Sequence, residues 1–280
     1  MFGKKTCYQL TIRGQKYTLS APMVMGILNC TPDSFHAASR VQTEEQIARR
    51  ANDIVRQGGA IIDVGAMSTR PGSEPVSIAE EMRRLRLALP IVRREQPDAI
   101  ISVDTCRQDV ARMAVEEYGA DIINDVSGGA AALAGVPYIL MSSEADMAST
   151  KTFFERRISE LRDGGVEDII LDPGYGFGKT MATNLSMVHR QDELLTFGLP
   201  VLTGISRKRM IWQTLGTSPE EALNGTTALH AIAIDRGAAI LRVHDVREAV
   251  EVCKLVGELF RAVRLGKVEN GKCKVENGKL

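Results

Sequence analysis

From residue 22 to about residue 264 the chain alternates between short apolar runs and longer amphipathic stretches. The apolar runs are Val24–Leu28, Ala60–Val64, Ile100–Val103, Asp121–Asn124, Val136–Met141, Asp168–Leu171, Leu199–Thr203 and Ala238–Val243. They are rich in Ile and Val and lack clean alternation, which is how parallel strands buried on both faces read. Between them, Glu44–Gln57 places Ile47, Ala51, Ile54 and Val55 on one helical face. Ser77–Arg94, Gln108–Tyr118, Phe153–Asp163, Asn184–Leu195, Pro219–Arg236 and Val246–Val263 follow the same period. Thr43 and Ser77 stand where N-caps belong, each followed by acids in the first turn.

Eight strands alternating with seven or eight helices predict an α/β chain folded as a (β/α)8 barrel. The competing arrangement is an open doubly wound sheet, but no G-x-G-x-x-G follows the first strand and there is no Walker loop. Ahead of the barrel, Tyr8, Leu10 and Ile12 alternate before Arg13-Gly14, predicting a hairpin within 1–21 that covers the barrel bottom. The reading is one domain over 1–265. Beyond it, Lys-Val-Glu-Asn-Gly-Lys occurs at 267–272 and again at 274–279, and this polar duplication predicts a disordered tail over 266–280.

Composition narrows the function classes. Thirty-five basic residues balance thirty-five acidic ones, which argues against a nucleic-acid partner. No apolar run approaches the roughly 20 residues of a membrane span. Lys4 and Lys5 have no apolar stretch behind them, so the start does not read as a secretory signal. Five scattered cysteines without a C-x-x-C pair read as reduced thiols of a cytoplasmic protein. Cys30 and Cys106 have no histidine at a spacing suited to nucleophilic catalysis and read as small packing residues, as His230 does within its helix.

Active sites of such barrels lie where the strands end. Nearly every predicted strand here delivers Asn, Asp, Lys, Arg or His to that rim. Asp104, Asn124 and Asp172 suit hydrogen bonds to a flat, nitrogen-rich heterocycle, since a carboxylate meets an N–H pair bidentately. Arg70, Arg242 and His244 suit an anion, most naturally phosphate, and Arg242 and His244 lie two apart on one side of the eighth strand. Lys208 begins a helix, where the dipole adds to its charge.

Seven motifs, in order and one per strand end, carry a family resemblance. They are Met-Gly-Ile-Leu-Asn-x-Thr-Pro-Asp-Ser-Phe, Asp-Val-Gly-x-x-Ser-Thr-Arg-Pro-Gly, Ile-Ser-Val-Asp-Thr, Ile-Ile-Asn-Asp-Val, Leu-Asp-Pro-Gly-Tyr-Gly-Phe-Gly-Lys, Ser-Arg-Lys and Arg-Val-His-Asp-Val. Over residues 22–265 the chain resembles the dihydropteroate synthases. The resemblance implies condensation of 6-hydroxymethyl-7,8-dihydropterin pyrophosphate with 4-aminobenzoate, giving 7,8-dihydropteroate and pyrophosphate. It implies a pterin pocket of Asp104, Asn124, Asp172 and Lys208, and a pyrophosphate site of Asn29, Thr69, Arg70, Arg242 and His244. Asn29 would also meet Mg²⁺. Loops 30–40 and 66–76 would cover a 4-aminobenzoate pocket walled by Phe35, Pro71 and Phe177, with Ser206 and Arg209 beside it. Asp104, Lys208, Arg242 and His244 would carry the chemistry. Relatives are commonly homodimers, and sulfonamides mimic the amine substrate.

Three places depart from the family pattern. After strand five the chain reads Leu140-Met141-Ser142-Ser143-Glu144-Ala145 where Leu-Met-His-Met-x-Gly is usual. Met67 stands where many relatives have Glu, and Arg209 follows Ser-Arg-Lys where Ser is usual. Two alternatives stand beside a synthase. One is a barrel presenting methyltetrahydrofolate to a corrinoid protein, which would not need Arg70, Arg242 and His244. The other is a non-catalytic pterin-binding relative.

Overall fold

The structure, a computed structural model, describes residues 7–30, 40–67 and 76–269. Strand β1 (Tyr8–Ile12) pairs antiparallel with β2 (Gln15–Leu19). Arg13 and Gly14 between them both take positive φ, 51° and 74°, the two-residue turn whose twist matches a hairpin. Eight parallel strands then close a barrel: β3 (Met23–Asn29), β4 (Ile61–Gly65), β5 (Ile100–Asp104), β6 (Ile122–Asp125), β7 (Tyr138–Met141), β8 (Ile169–Asp172), β9 (Val201–Thr203) and β10 (Ala238–Val243). Each pairs with the next, and β10 returns to β3. The helices are α1 (Arg40–Arg56), α2 (Ile78–Glu95), α3 (Gln108–Tyr118), α4 (Met147–Asp163), α5 (Met181–His189), α6 (Arg209–Leu215), α7 (Leu223–Asp235) and α8 (Val246–Glu269), with a 3-10 helix at Gln191–Phe197. The expected barrel and hairpin are both present.

The strands bury both faces, and each face has its own chemistry. Outward residues such as Val64, Val103, Leu140, Leu171 and Leu241 are buried in one apolar layer with Ile54, Leu85, Val110 and Phe154 of the helices. Inward, Met25, Ile61, Ile100, Ile122, Ile139, Ile170, Leu202 and Ile240 form an apolar floor. The hairpin seals that floor with Tyr8, Leu10, Ile12 and Leu19. It is pinned by Arg13, which donates to both oxygens of Asp121 at 2.8 and 3.0 Å, and by the Thr11 N–H, which donates to Asp168 at 2.7 Å. One inward step above the floor, at Asp63, Ser102, Asn124, Asp172 and Arg242, the interior turns polar. The floor makes the barrel stable, and the layer above it holds the site.

Several boundaries differ from expectation. Ser77 caps α2 as predicted, its hydroxyl accepting the Glu80 N–H at 3.2 Å, whereas Thr43 lies inside α1 rather than at its start. α4 begins at Met147, six residues before the predicted Phe153, because Asp146 and Ser149 form a capping box. The stretch predicted as one helix over 184–195 breaks at Arg190 into α5 and the 3-10 helix. α7 begins at Leu223 rather than Pro219. α8 runs to Glu269, past residue 266 where the tail was expected to begin, and 270–280 lie outside the described residues. No helix among the described residues is long and apolar enough to cross a membrane.

Candidate functional site

The polar layer is organised by the aspartate that opens the Asp-Val-Gly motif, a residue to which the sequence assigns no individual role. Asp63, on β4, is fully buried. One of its oxygens accepts the Ser102 hydroxyl at 2.7 Å. The other accepts Arg242 Nε at 2.6 Å and Asn124 Nδ2 at 3.1 Å. Arg242 continues the chain, its Nη2 donating to Asp104 Oδ2 at 2.6 Å. Strands β4, β5, β6 and β10 are thus joined above the floor by one hydrogen-bonded set. A carboxylate only accepts, so Asn124 turns its amide nitrogen to Asp63 and keeps its carbonyl oxygen for another partner. A signal for Asp63 was present: Ile61-x-Asp63 repeats the pattern of Ile122-x-Asn124, Ile170-x-Asp172 and Ile240-x-Arg242, an apolar floor residue followed two positions on by a polar one.

Burial sets the charges in this layer. It pushes the Asp104 carboxyl up, against the pull of Arg242, with Asp63 adding to the rise. Desolvation works against the Arg242 charge, but Asp63 and Asp104 outweigh it and hold the guanidinium protonated. A buried triad of this kind loses about 3–5 kcal/mol when one partner is removed and the others stay.

Across the barrel mouth, Asp172 ends β8 and accepts the Gly174 N–H at 2.7 Å on one oxygen. Burial raises its pKa, with Lys208 opposing. Lys208 is the residue preceding α6. Its ammonium donates to the Tyr175 carbonyl and lies 4.7 Å from the centre of the Phe177 ring. Burial pushes Lys208 down to about 8, although Asp172 pulls the other way. No ion pair joins Lys208 to Asp172 among the described residues. The loop between them has no room for side chains at two of its glycines. A Cβ on Gly174, where φ is 65°, would lie 2.0 Å from the Ser142 carbonyl oxygen, and one on Gly178 would lie 2.7 Å from that of Ser143.

The other expected residues are placed as follows. Asn29 ends β3 at the rim, its Oδ1 3.4 Å and Asp104 Cβ 3.6 Å from the point where a Gly65 Cβ would stand. His244 lies one residue past the end of β10 rather than on it; its backbone N–H donates to the buried Ser206 hydroxyl at 3.2 Å, and its carbonyl accepts Arg50 at 2.9 Å. Ser206 is therefore joined to the segment leaving β10. Arg209 is exposed on α6 and donates to Gln213 at 2.9 Å. Arg207, between them, takes φ 53° and is bound to both oxygens of Asp245 at 2.8 and 2.9 Å, so the middle of Ser-Arg-Lys is a structural clamp. Phe35, Thr69, Arg70 and Pro71 lie outside the described residues. Burial pushes the Cys30 thiol up to about 12, in keeping with a packing role.

Taken together, these features make a barrel-mouth pocket that offers carboxylate and amide acceptors, one half-buried ammonium and one fixed guanidinium. That is a site for a donor-rich heterocycle carrying an anion. The sequence profile of the family described as "Pterin binding enzyme" matches residues 25–244. Dihydropteroate synthase of Escherichia coli (strain K12) is 38% identical over 272 residues, covering 89% of this chain and 95% of its own. The Xanthomonas albilineans dihydropteroate synthase structure, solved with 4-aminobenzoic acid, superimposes with a TM-score of 0.79 at 34% identity, covering 92% of this chain and 99% of its own. The Yersinia pestis dihydropteroate synthase, solved with a sulfonamide drug complex, gives a TM-score of 0.80 at 35% identity over 91% of this chain and 100% of its own. This chain belongs to the dihydropteroate synthase family.

Proposed function

We propose that the chain condenses 6-hydroxymethyl-7,8-dihydropterin pyrophosphate with 4-aminobenzoate, releasing pyrophosphate and forming 7,8-dihydropteroate for folate synthesis. The observation that carries the reading is the single polar layer in which Asp63 and Asp104 fix Arg242 and Asn124 opposite Asp172 and Lys208. In this reading Asp172 and the carbonyl of Asn124 accept from the pterin ring edge. Lys208 donates to the ring's acceptor side. Arg242 and His244, with Thr69 and Arg70 of the 66–76 loop, hold the pyrophosphate. Phe177, beside Lys208, walls the amine pocket with Phe35 and Pro71, and Arg209 stands at its mouth to meet the carboxylate of 4-aminobenzoate.

The chemistry follows from these positions. The bond between the methylene carbon and the pyrophosphate oxygen breaks, and its electron pair leaves with pyrophosphate, whose charge Arg242 receives. The electron-rich dihydropterin carries the resulting positive charge, and the Asp104 carboxylate beside it stabilises that charge. The 4-aminobenzoate nitrogen then forms the new C–N bond and gives its proton to solvent. Closure of the covering loops keeps water from the cation.

Mg²⁺ belongs to this proposal. No group of three or more His, Cys, Asp or Glu side chains suited to a metal occurs among the described residues. A single amide oxygen on Asn29 at the rim fits a hard cation held mainly by phosphate oxygens and water, as Mg²⁺ usually is. When bound there, it neutralises pyrophosphate charge. We also place the chain in the cytoplasm, which its free cysteines support, and read it as a homodimer. The exposed Leu255 and Leu259 of α8 and Ile232 of α7, adjoining helices, support an apolar contact between copies. Sedimentation of the wild type and of Leu255→Glu checks it. The enzymatic reading is tested by dihydropteroate formation from the two substrates with Mg²⁺. It requires activity in the wild type and its loss in Lys208→Ala; an inactive wild type that still binds the pterin would replace it with the non-catalytic alternative.

A further inference from the structure

Lys179 closes the glycine-rich loop after β8, and no step of the reaction uses it. Its ammonium has three N–H donors and three carbonyl partners: Ser142 at 3.2 Å, Gly174 at 3.1 Å and Phe177 at 3.1 Å. These come from two connections, the one leaving β7 and the one leaving β8. The loop so gathered contains the Gly174 N–H that orients Asp172, the Tyr175 carbonyl that receives Lys208, and the Phe177 ring beside Lys208. Without a cation at this point, the carbonyls of Ser142, Gly174 and Phe177 would crowd one another with no donor between them. The chain meets the same loop with the Ser142-Ser143 pair where its sequence leaves the family pattern, and the carbonyls of that pair leave no room for a Cβ on Gly174 or Gly178.

We infer that Lys179 is a positioning residue for the pterin pocket: by gathering the Ser142, Gly174 and Phe177 carbonyls it fixes the loop that aims Asp172 and Lys208 at the ring. The inference rests on the pterin-binding reading above. The Lys179 charge also reaches both pocket groups, depressing Lys208 further and lowering Asp172, so its removal has an electrostatic signature that a loosened loop alone lacks.

The test measures binding of 6-hydroxymethyl-7,8-dihydropterin, the ring without pyrophosphate, across pH. The proteins are wild type, Lys179→Met (no donors, no charge) and Lys179→Gln (two N–H donors, no charge). Wild-type affinity is expected to fall above about pH 8 as Lys208 loses its proton. Lys179→Met is expected to weaken ring binding at pH 7 at least tenfold, and Lys179→Gln less. Both are expected to move the alkaline limb to higher pH. Folded variants that bind like wild type with the limb unmoved would overturn the inference, and Lys179→Gln decides the matter if Lys179→Met does not fold. A wild type that does not bind the ring at all would instead sink the pterin reading on which the inference stands.

Discussion

Gly174→Ala is the sharpest single perturbation the site offers. Gly174 takes φ 65°, where an L-residue with a Cβ pays about 1–2 kcal/mol. The added methyl would lie 2.0 Å from the Ser142 carbonyl oxygen, against 3.4 Å for ordinary van der Waals contact. That neighbour is backbone, so rotamer change gives no relief, and the two connections have to part by about 1.4 Å. The Gly174 N–H orients Asp172, and the Gly174 carbonyl is one of the three held by Lys179. A misplacement of about 1 Å at a positioning group costs on the order of 100-fold in rate. Gly198→Ala is the matched control: φ is 67° and nothing lies within 4 Å of its Cβ position. The assay is kcat/KM for dihydropteroate formation with thermal unfolding alongside. Both variants are expected to lose a similar stability increment from φ, and only Gly174→Ala is expected to lose activity by about two orders of magnitude. Equal activity in the two would refute the claim that the loop's close approach to Ser142 sets the pocket.

Other outcomes follow from the same geometry. Asp63→Ala leaves Arg242 and Asn124 without their shared acceptor; a loss of about 3–5 kcal/mol in denaturant unfolding is expected, with Asp63→Asn losing less because the amide oxygen still accepts. His230 is buried, both ring nitrogens lack a partner, and burial pushes it down to about 4 from an ordinary 6.5. Its unfolded form takes up a proton first, so stability is expected to fall as pH drops from 6.5 toward 4, by about 3 kcal/mol in all. His230→Met is expected to flatten that part of the stability–pH curve, measured by urea unfolding. Chelating Mg²⁺ is expected to depress turnover while leaving the affinity for 6-hydroxymethyl-7,8-dihydropterin unchanged, as calorimetry will show.

The sequence made the barrel legible because strands buried on both faces cannot hide: Ile, Val and Leu crowd into runs of four to six residues. The hairpin was legible from the alternation of Tyr8, Leu10 and Ile12 before Arg13-Gly14. Rim residues were legible because they lie where a run turns polar, as Asp104, Asn124 and Asp172 do. Asp63 was harder to see for the opposite reason. It lies inside an apolar run, followed by Val64, and its role depends on Arg242, which is 179 residues away. The role of Lys179 was invisible for a similar reason, since its partners are backbone carbonyls that no residue type announces. Short α6 carries too few turns for a clear period. Ser206 reads as ligand-binding by position, but its hydroxyl accepts the backbone N–H of His244, and neighbouring Arg207 is held by Asp245.

The central claim is that this polar layer releases pyrophosphate while joining the pterin to an arylamine. The direct measurement is pyrophosphate release by the purified protein from 6-hydroxymethyl-7,8-dihydropterin pyrophosphate and Mg²⁺, with and without 4-aminobenzoate, quantified beside dihydropteroate. The account predicts one pyrophosphate per dihydropteroate when the amine is present, slower release without it, and neither product from Lys208→Ala. A wild type that binds the pterin pyrophosphate but releases no pyrophosphate under either condition would contradict it.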